Sequence, residues 1–413
     1  MSRKIITFLG VRPIETKYEY DGRTYTGRVF PEALRQFVPY DEMLVFVTPE
    51  AQASTWPVLD ALGDKRIRRI PIDKGQSVQE MWKWFDKILD RVADHDTVIF
   101  DITHGLRSIP FLVFVFAAFL KAARNVTIKA IYYGAYELGN PNEGKPAPVI
   151  DLSDFVAMFD WLTATEQFTQ TGNARNLSIL LNPQHAKEGV LAEAANTLNT
   201  ISQAARLCQP FTLMQEAGKL EQALNRAQQE LKVIAPPFNV LKKQVVDAFG
   251  QFQDDGNDTA KMLQTEFKLV EWYYQKGQII QAITLAREWL IDAVTHRLNQ
   301  PLDYLLERRI PFERAISGLS LIGKPHPEDR EREFTEDDLN RWGLELLKWP
   351  EDERETLKQV WIDLKNVRNP LDHAEHQRKK KKTLQSLAKL QDKIDQRIMP
   401  NLRALAETWG LAS

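Results

Sequence analysis

Two short stretches of this chain gather side chains that could do chemistry. The first spans residues 98–110. An apolar run ending at Asp101 and Ile102 leads into Thr103, His104, Gly105, Leu106, Arg107 and Ser108, then into the apolar block 111–120. A buried strand feeding a buried helix through a polar loop is how α/β proteins present a ligand site beyond the carboxyl end of a strand. The helix start offers free backbone N–H groups and the positive end of the dipole, which suit phosphate. Gly105 permits close approach of a ligand to the backbone. Pro110 fits a first helical turn, where a missing N–H costs nothing. A plain turn whose Thr and Ser cap the helix would explain the hydroxyls. It would not call for His104 and Arg107 as well, so an anion or nucleotide site is the favoured reading.

The second stretch runs from Arg368 through Asn369 and Pro370 to His373. Pro370 disfavours the helical conformation at Asn369, and Asn–Pro makes a good cap and first residue, so a helix is expected to start at Pro370. His373 then falls in its first turn beside Arg368. Both the helix end and the arginine disfavour imidazolium, leaving a neutral His near pH 7. A capped helix start with a solvent-facing His is the bland reading; an Arg–His pair for phosphodiester chemistry is the functional one. The basic run 378–382 follows. It serves either as a solvated face or as a patch guiding RNA. Glu288 is a candidate to orient Arg368, and equally an ordinary helix-surface Glu.

The elements that must position these residues divide the chain in two. In the front, strands are expected at 5–9, 43–48, 68–72, 97–101 and 127–133, with 149–152 as a last edge strand. Asp21-Gly22 between the alternating arms of 17–25 signals a hairpin. Helices are expected at 32–37, at 77–92 from the spacing of its apolar residues, and from the first loop to Arg124. Strand alternating with helix predicts an α/β, Rossmann-like domain with a mainly parallel sheet covered on both faces. Gly10-Val11-Arg12-Pro13 lacks the full G-x-G-x-x-G pattern, which argues against a nicotinamide or flavin dinucleotide. Beyond Asp154 the patterns are helical. Residues 259–275 and 279–298 read as a pair joined at Gly277, with no second copy at a fixed period. Thr335 to Asp338 reads as a capping box opening a helix through Leu339, Trp342 and Leu346. The expected division is 1–153, a helical connector 154–258, and an all-α domain 259–413.

Composition limits the function classes. The chain has 413 residues and a formal net charge of −2, so no global field draws it to nucleic acid and any contact needs a local patch. The single cysteine, Cys208, excludes an internal disulfide and a cysteine-based metal site; it reads as a small buried apolar residue. The apolar run at 5–9 is too short for a signal peptide. The block 111–120 falls well below the roughly 20 residues that span a bilayer. A cytoplasmic protein with no membrane partner is expected.

Taken together, the two sites resemble a known family. Phe8-Leu9-Gly10, Tyr18 and Tyr20, the run Asp101 to Pro110, Tyr132 to Ala135 and Asp151-Leu152 resemble the CARF domain, the CRISPR-associated Rossmann-like sensor of cyclic oligoadenylates. Arg368, Asn369 and His373 resemble the HEPN ribonuclease motif at its shortest spacing. Gly10-Val11-Arg12-Pro13 departs from the Gly-Thr-Gly-like turn of close relatives. The resemblance implies a type III CRISPR ancillary endoribonuclease that cuts single-stranded RNA and is activated by a cyclic oligoadenylate, cyclic tetra-adenylate before other ring sizes. It implies a homodimer with a composite catalytic site and no metal or other cofactor. It assigns catalysis to Arg368, His373 and Asn369. Ligand contacts fall to Gly10, Val11, Arg12, Thr103, His104, Gly105, Leu106, Arg107, Ser108, Tyr133 and Gly134. The chemistry would be attack of the RNA 2′-OH on its own phosphate, His373 moving protons and Arg368 stabilising the transition state. Two competitors remain: a non-catalytic nucleotide-sensing regulator, and a ring nuclease whose 103–107 loop cleaves its own ligand.

Overall fold

The apolar run after Lys4 forms the central strand β1 (Arg3–Phe8), whose Ile5 and Ile6 are fully buried on opposite faces. The computed structural model describes residues 1–236, 238–254, 256–372 and 387–412. Two compact units result, Met1–Asp160 and Trp161–Ser413.

In the first unit β2 (Thr16–Tyr20) and β3 (Arg23–Gly27) form the expected hairpin. Asp21 and Gly22 both take positive φ, as the tight two-residue turn requires. Then come α1 (Phe30–Phe37), β4 (Glu42–Val47), α2 (Pro49–Ser54), α3 (Trp56–Asp60), β5 (Ile67–Pro71), α4 (Val78–Leu89), β6 (Thr97–Asp101), α5 (Ile109–Arg124), β7 (Thr127–Gly134) and β8 (Ala147–Asp151), and the helix α6 (Ser153–Thr171) begins in this unit and ends in the next. The sheet order is β3-β2-β8-β7-β6-β1-β4-β5. Pairings from β5 across to β7 are parallel; β7–β8 and β2–β3 are antiparallel. The expected edge strand at 149–152 is therefore an interior strand. It pairs with β7 on one side and, in parallel, with β2 of the hairpin on the other. The hairpin covers its open ladder groups and takes the edge itself.

Both sheet faces are covered, which is why these strands read as unbroken apolar runs. Phe8, Phe46 and Phe100 pack with Trp84 and Phe85 of α4 and Phe116 of α5. Ile5, Met43, Val45 and Ile99 pack with Phe30, Leu34 and Phe37 of α1 and with Trp56 of α3.

The described residues of the second unit form helices and their connections, with one isolated bridge between Pro325 and Glu333, and one apolar core runs from Trp161 to Leu411. That core spans both the expected connector and the segment after it. The helices Thr259–Gln275 and Ile279–Arg297 form the expected pair, turning at Gly277 with φ +69°. Two expectations are corrected. Thr335 opens only a 3₁₀ turn, Glu336–Asp338. The helix that follows, Arg341–Leu346, is capped instead by Asn340, whose side chain accepts the Gly343 N–H at 2.8 Å. No helix starts at Pro370. The helix Glu351–Asp372 passes through Asn369 and Pro370. A proline there forfeits one helical hydrogen bond. The buried stripe Leu357, Val360, Leu364 and Val367 holds the helix together regardless. Among the described residues no helix is long and apolar enough to cross a membrane.

Candidate ligand loop and Arg–His segment

β1 is flanked by β4 on one side and by β6 on the other, and beyond the β2–β3 hairpin the chain runs outward through β4 and β5 before it crosses to β6. The strand order thus reverses between β1 and β6, the position where open α/β sheets bind ligands. Gly10 follows β1, and the 102–108 loop follows β6. They meet: a Cβ added at Gly10 would lie 3.6 Å from His104 Cβ and 3.7 Å from the Gly105 nitrogen.

Asp101 organises this loop from below. It is fully buried beside Thr7 on β1, whose hydroxyl donates to one carboxylate oxygen at 2.6 Å. The other oxygen accepts the Thr103 N–H at 2.8 Å. Burial pushes the Asp101 carboxyl up and the nearby His104 opposes that rise. Burial lowers the His104 imidazole, with Asp101 opposing. His104 Nε2 accepts the N–H of Phe30, the first residue of α1, at 3.1 Å. An accepting Nε2 belongs to a neutral ring with its proton on Nδ1. Thr103 turns its hydroxyl oxygen to the Gly134 N–H at 2.8 Å. Thr103 and His104 therefore brace the loop against α1 and β7. Neither caps α5, and the Ser108 side chain makes no cap bond either.

Past these braces the loop opens to solvent. Gly105 has φ +106°, and a Cβ there would fall 2.5 Å from Ile109 Cδ1. Leu106 and Arg107 are exposed and Ser108 half-buried. Val11 and Arg12 are also exposed, on the turn after β1. Gly134 is buried, where a Cβ would strike the Phe30 ring at 2.6 Å. Tyr133 is half-buried and donates to Glu137; burial, then that bond, raises its phenol.

A cavity of about 250 Å³ opens beside the loop at the ends of β1, β4 and β5, among Phe8, Gly10, Thr48, Glu50, Trp84 and Leu106. Glu50 and Lys74 form an ion pair in its wall, and Lys74 lowers the Glu50 carboxyl. The reading of the sequence did not single out Trp84, Thr48, Glu50 or Lys74. Thr48-Pro49 after an apolar strand is a cap-and-first-turn signal, and Thr48 does cap α2. Nothing in the sequence pointed to the indole.

In the second unit, Arg368 lies half-buried near the end of the helix Glu351–Asp372, beside the fully buried Val367. It sits two turns beyond Trp361, on the same helix face. Trp361 donates to Ser317 Oγ at 3.2 Å and carries the Arg287 guanidinium 5.0 Å from its ring centre. Glu288 accepts from Arg287 at 2.6 Å and pairs with Arg309. Asn369 is in the same helix; His373 and the basic run 378–382 lie outside the described residues. Cys208 is half-buried, and burial pushes its thiol up to about 11, which makes it a poor nucleophile. Among the described residues no three His, Cys, Asp or Glu side chains form a metal-binding group.

Residues 157–257 match a family model described as the second domain of the CRISPR-associated protein MJ1674. The chain is 37% identical over 123 residues to the CRISPR-associated protein MJ1674 of Methanocaldococcus jannaschii, an alignment covering 28% of this chain and 18% of that protein. Among solved structures it is similar to Enterococcus italicus Csm6 bound to cyclic hexa-2′-fluoro-hexa-dAMP. That likeness has a TM-score of 0.44 and 11% identity, and covers 99% of this chain and 95% of the other.

Proposed function

We propose that this chain is a CARF–HEPN endoribonuclease of CRISPR defence, cytoplasmic and switched on by a cyclic oligoadenylate bound at the 102–108 loop. The observation that carries the reading is the division of labour within that loop. Asp101, Thr103 and His104 are spent on holding it. Gly105, Leu106 and Arg107 are left exposed in front of the α5 N-terminus. An anion is met there by backbone N–H groups, the helix dipole and one guanidinium. The similarity of 157–257 to a CRISPR-associated domain supports the setting. The three-part division at 153 and 258 belongs to the same reading, with Arg368, Asn369 and His373 in the last part. There the RNA 2′-OH attacks its own phosphate, and the chain's own residues supply the proton transfer and charge stabilisation without a metal.

The test is cleavage of labelled single-stranded RNA in EDTA, with cyclic tetra- and hexa-adenylate added separately. Cleavage that depends on one ring supports the reading; ring binding without cleavage leaves a sensor, and loss of the ring itself would make the protein a ring nuclease. Arg107→Ala is expected to weaken ring binding by about ten- to a hundred-fold, the scale of one charged hydrogen bond. Unchanged calorimetric affinity would remove the loop from the argument.

Pairing of two copies is supported by the surface of α4 and α5. The α5 helix is apolar on every side from Ile109 to Leu120. Its Phe111 is 72% exposed and Phe119 47%, beside Trp82 of α4 at 59%. The link between the helices is direct, because Phe85 packs on Trp82, Phe116 and Phe119. At about 200 Å² per aromatic side chain, these three, with Val78 and Val115, expose an area within the 300–600 Å² of the largest apolar patch of a typical monomer. A charge-poor face of this kind fits a two-fold interface between identical copies. Val115→Glu with Phe119→Glu is expected to convert a dimer into a folded monomer by sedimentation equilibrium. A wild-type monomer would sink the composite-site model.

A further inference from the structure

Four cations crowd into residues 65–69: Lys65, Arg66, Arg68 and Arg69 flank Ile67 at the entrance to the edge strand β5. All four are exposed. Among the described residues β5 pairs with β4 alone, so its outer ladder groups stay open. Two of the guanidiniums sit over aromatic rings, Arg66 4.3 Å from the centre of Tyr40 and Arg69 5.8 Å from that of Trp56. Both rings are buried beneath them. Arg66 is also forked onto Asp64 at 3.0 and 2.8 Å, and Arg68 meets Glu42 at 2.7 Å. These bonds fix the two arginines without covering them, since their side chains stay 52% and 68% exposed. Lys65 and Arg69 have no ion pair among the described residues. Arg35, 3.5 Å from Asp64, adds a fifth cation. Three carboxylates, Asp41, Asp64 and Glu42, face these five, so the edge keeps a surplus of positive charge in a chain whose net charge is −2. Charge on an edge strand also hinders pairing with another sheet. That purpose is met by one or two lysines; it does not call for four cations or for guanidiniums set over rings.

We infer that this edge of the first unit is a binding surface for single-stranded RNA. An arginine fork suits phosphate oxygens. A guanidinium backed by an aromatic ring offers its outer face to an unpaired base. A duplex keeps its bases stacked on one another and could use only the charge. A membrane surface would ask for exposed apolar side chains beside the cations. Here Ile67 and Ile70 are buried, and no large apolar side chain from residue 15 to residue 77 is among the exposed ones. The choice of RNA over single-stranded DNA rests on the functional reading; the surface itself does not.

The test is fluorescence anisotropy of a labelled single-stranded RNA on the full chain, in EDTA and without activator, across about 0.05–0.2 M salt. Lys65→Ser with Arg69→Ser removes the two cations that hold no carboxylate, so no acidic partner is left alone. The double variant is expected to bind about ten-fold more weakly, and its slope of log affinity against log salt should be shallower by about 1.4, two contacts at about 0.7 each. Arg69→Lys keeps the charge and loses the plane, so its salt slope should match wild type while its affinity falls. Arg226→Ser, which breaks an exposed pair with Glu193 in the second unit, is the control and should bind as wild type does. Equal affinity and slope in wild type and the double variant overturn the inference and leave ring-dependent cleavage untouched. An equal loss for duplex DNA of the same length overturns the choice of an unpaired strand. Phosphatidylserine vesicles bound by wild type and released by the double variant, with RNA affinity unchanged, would make the edge a membrane contact instead. RNA held through Lys65 and Arg69 by a chain that cleaves no RNA with any ring keeps the surface and sinks the ribonuclease reading. Should the double variant prove unfolded by circular dichroism, Arg69→Lys decides alone: wild-type affinity overturns the proposal.

Discussion

With saturating activator, His373→Ala is expected to cleave RNA about a hundred- to ten-thousand-fold more slowly than wild type, the usual scale of a general acid–base contribution. Arg368→Ala should fall at least as far, and Arg368→Lys should not rescue it, since an ammonium cannot reproduce the planar guanidinium fork. In the proposed reaction both groups act on charge and protons that appear only in the transition state. Single-turnover rates should therefore collapse while RNA affinity changes little. Arg368 is set into the helix Glu351–Asp372 next to Val367, and Arg287 anchors that helix through Trp361. Ring affinity at the 102–108 loop is the internal control and should stay at the wild-type value in all three variants. Near-wild-type cleavage by His373→Ala would refute the ribonuclease assignment and leave a nucleotide sensor.

How much of this was legible beforehand follows from the range of each interaction. The hairpin was readable because Asp21-Gly22 fixes the turn locally and the flanking arms alternate. The strand ending at Asp101 was readable because it is buried on both faces and therefore apolar, and the helix after Ser108 because it is apolar on every side, its exposed face included. The place of β8 was not, since it depends on pairing with the hairpin, Tyr18 with Ala147, 129 positions apart. The start assigned to Pro370 failed because a local preference was set against a buried stripe two turns long. Local rules place Asn–Pro at helix starts; packing of Val360, Leu364 and Val367 carries the helix past it. In the ligand loop the residue types were read as contacts, yet Thr103 and His104 are engaged by the backbone N–H groups of Gly134 and Phe30. Those partners lie 31 and 74 positions away, beyond the reach of any spacing argument. One part of the bracing was visible in retrospect: Asp101 and Thr103, two apart, form the side-chain-to-backbone turn that Asp favours.

The stability of the second unit is expected to fall as pH rises through neutrality, and Glu266→Gln should flatten that fall. Glu266 sits in the helix Thr259–Gln275, 2% exposed, with one carboxyl oxygen that has no hydrogen-bond partner among the described residues. Facing it are Asp292 and Glu288 of the helix Ile279–Arg297, with Arg309 of the helix Leu306–Leu319 beyond them. Arg309 is already committed, to Asp292 at 3.0 Å and to Glu288. Burial, reinforced by Asp292, pushes the Glu266 carboxyl from 4.5 up to about 8. Below the ordinary value the group is protonated in both folded and unfolded chains and contributes nothing. Between the two values the unfolded chain ionises while the folded one keeps its proton, so each pH unit removes about 1.4 kcal/mol. Above about pH 8 both states are charged and the loss levels off. The full span comes to on the order of 3–5 kcal/mol. Asp292, also raised by burial, tilts the curve the same way; Glu288, lowered by its arginine partners, tilts it oppositely. Urea midpoints followed by helical ellipticity, at about pH 5.5 and about pH 8.5, give the measurement. The wild-type midpoint should drop between them and the Glu266→Gln midpoint drop distinctly less, so that the variant is the more stable protein at the higher pH. Parallel shifts in the two proteins would mean that Glu266 is ionised in the folded chain, its charge met by Arg309 after all.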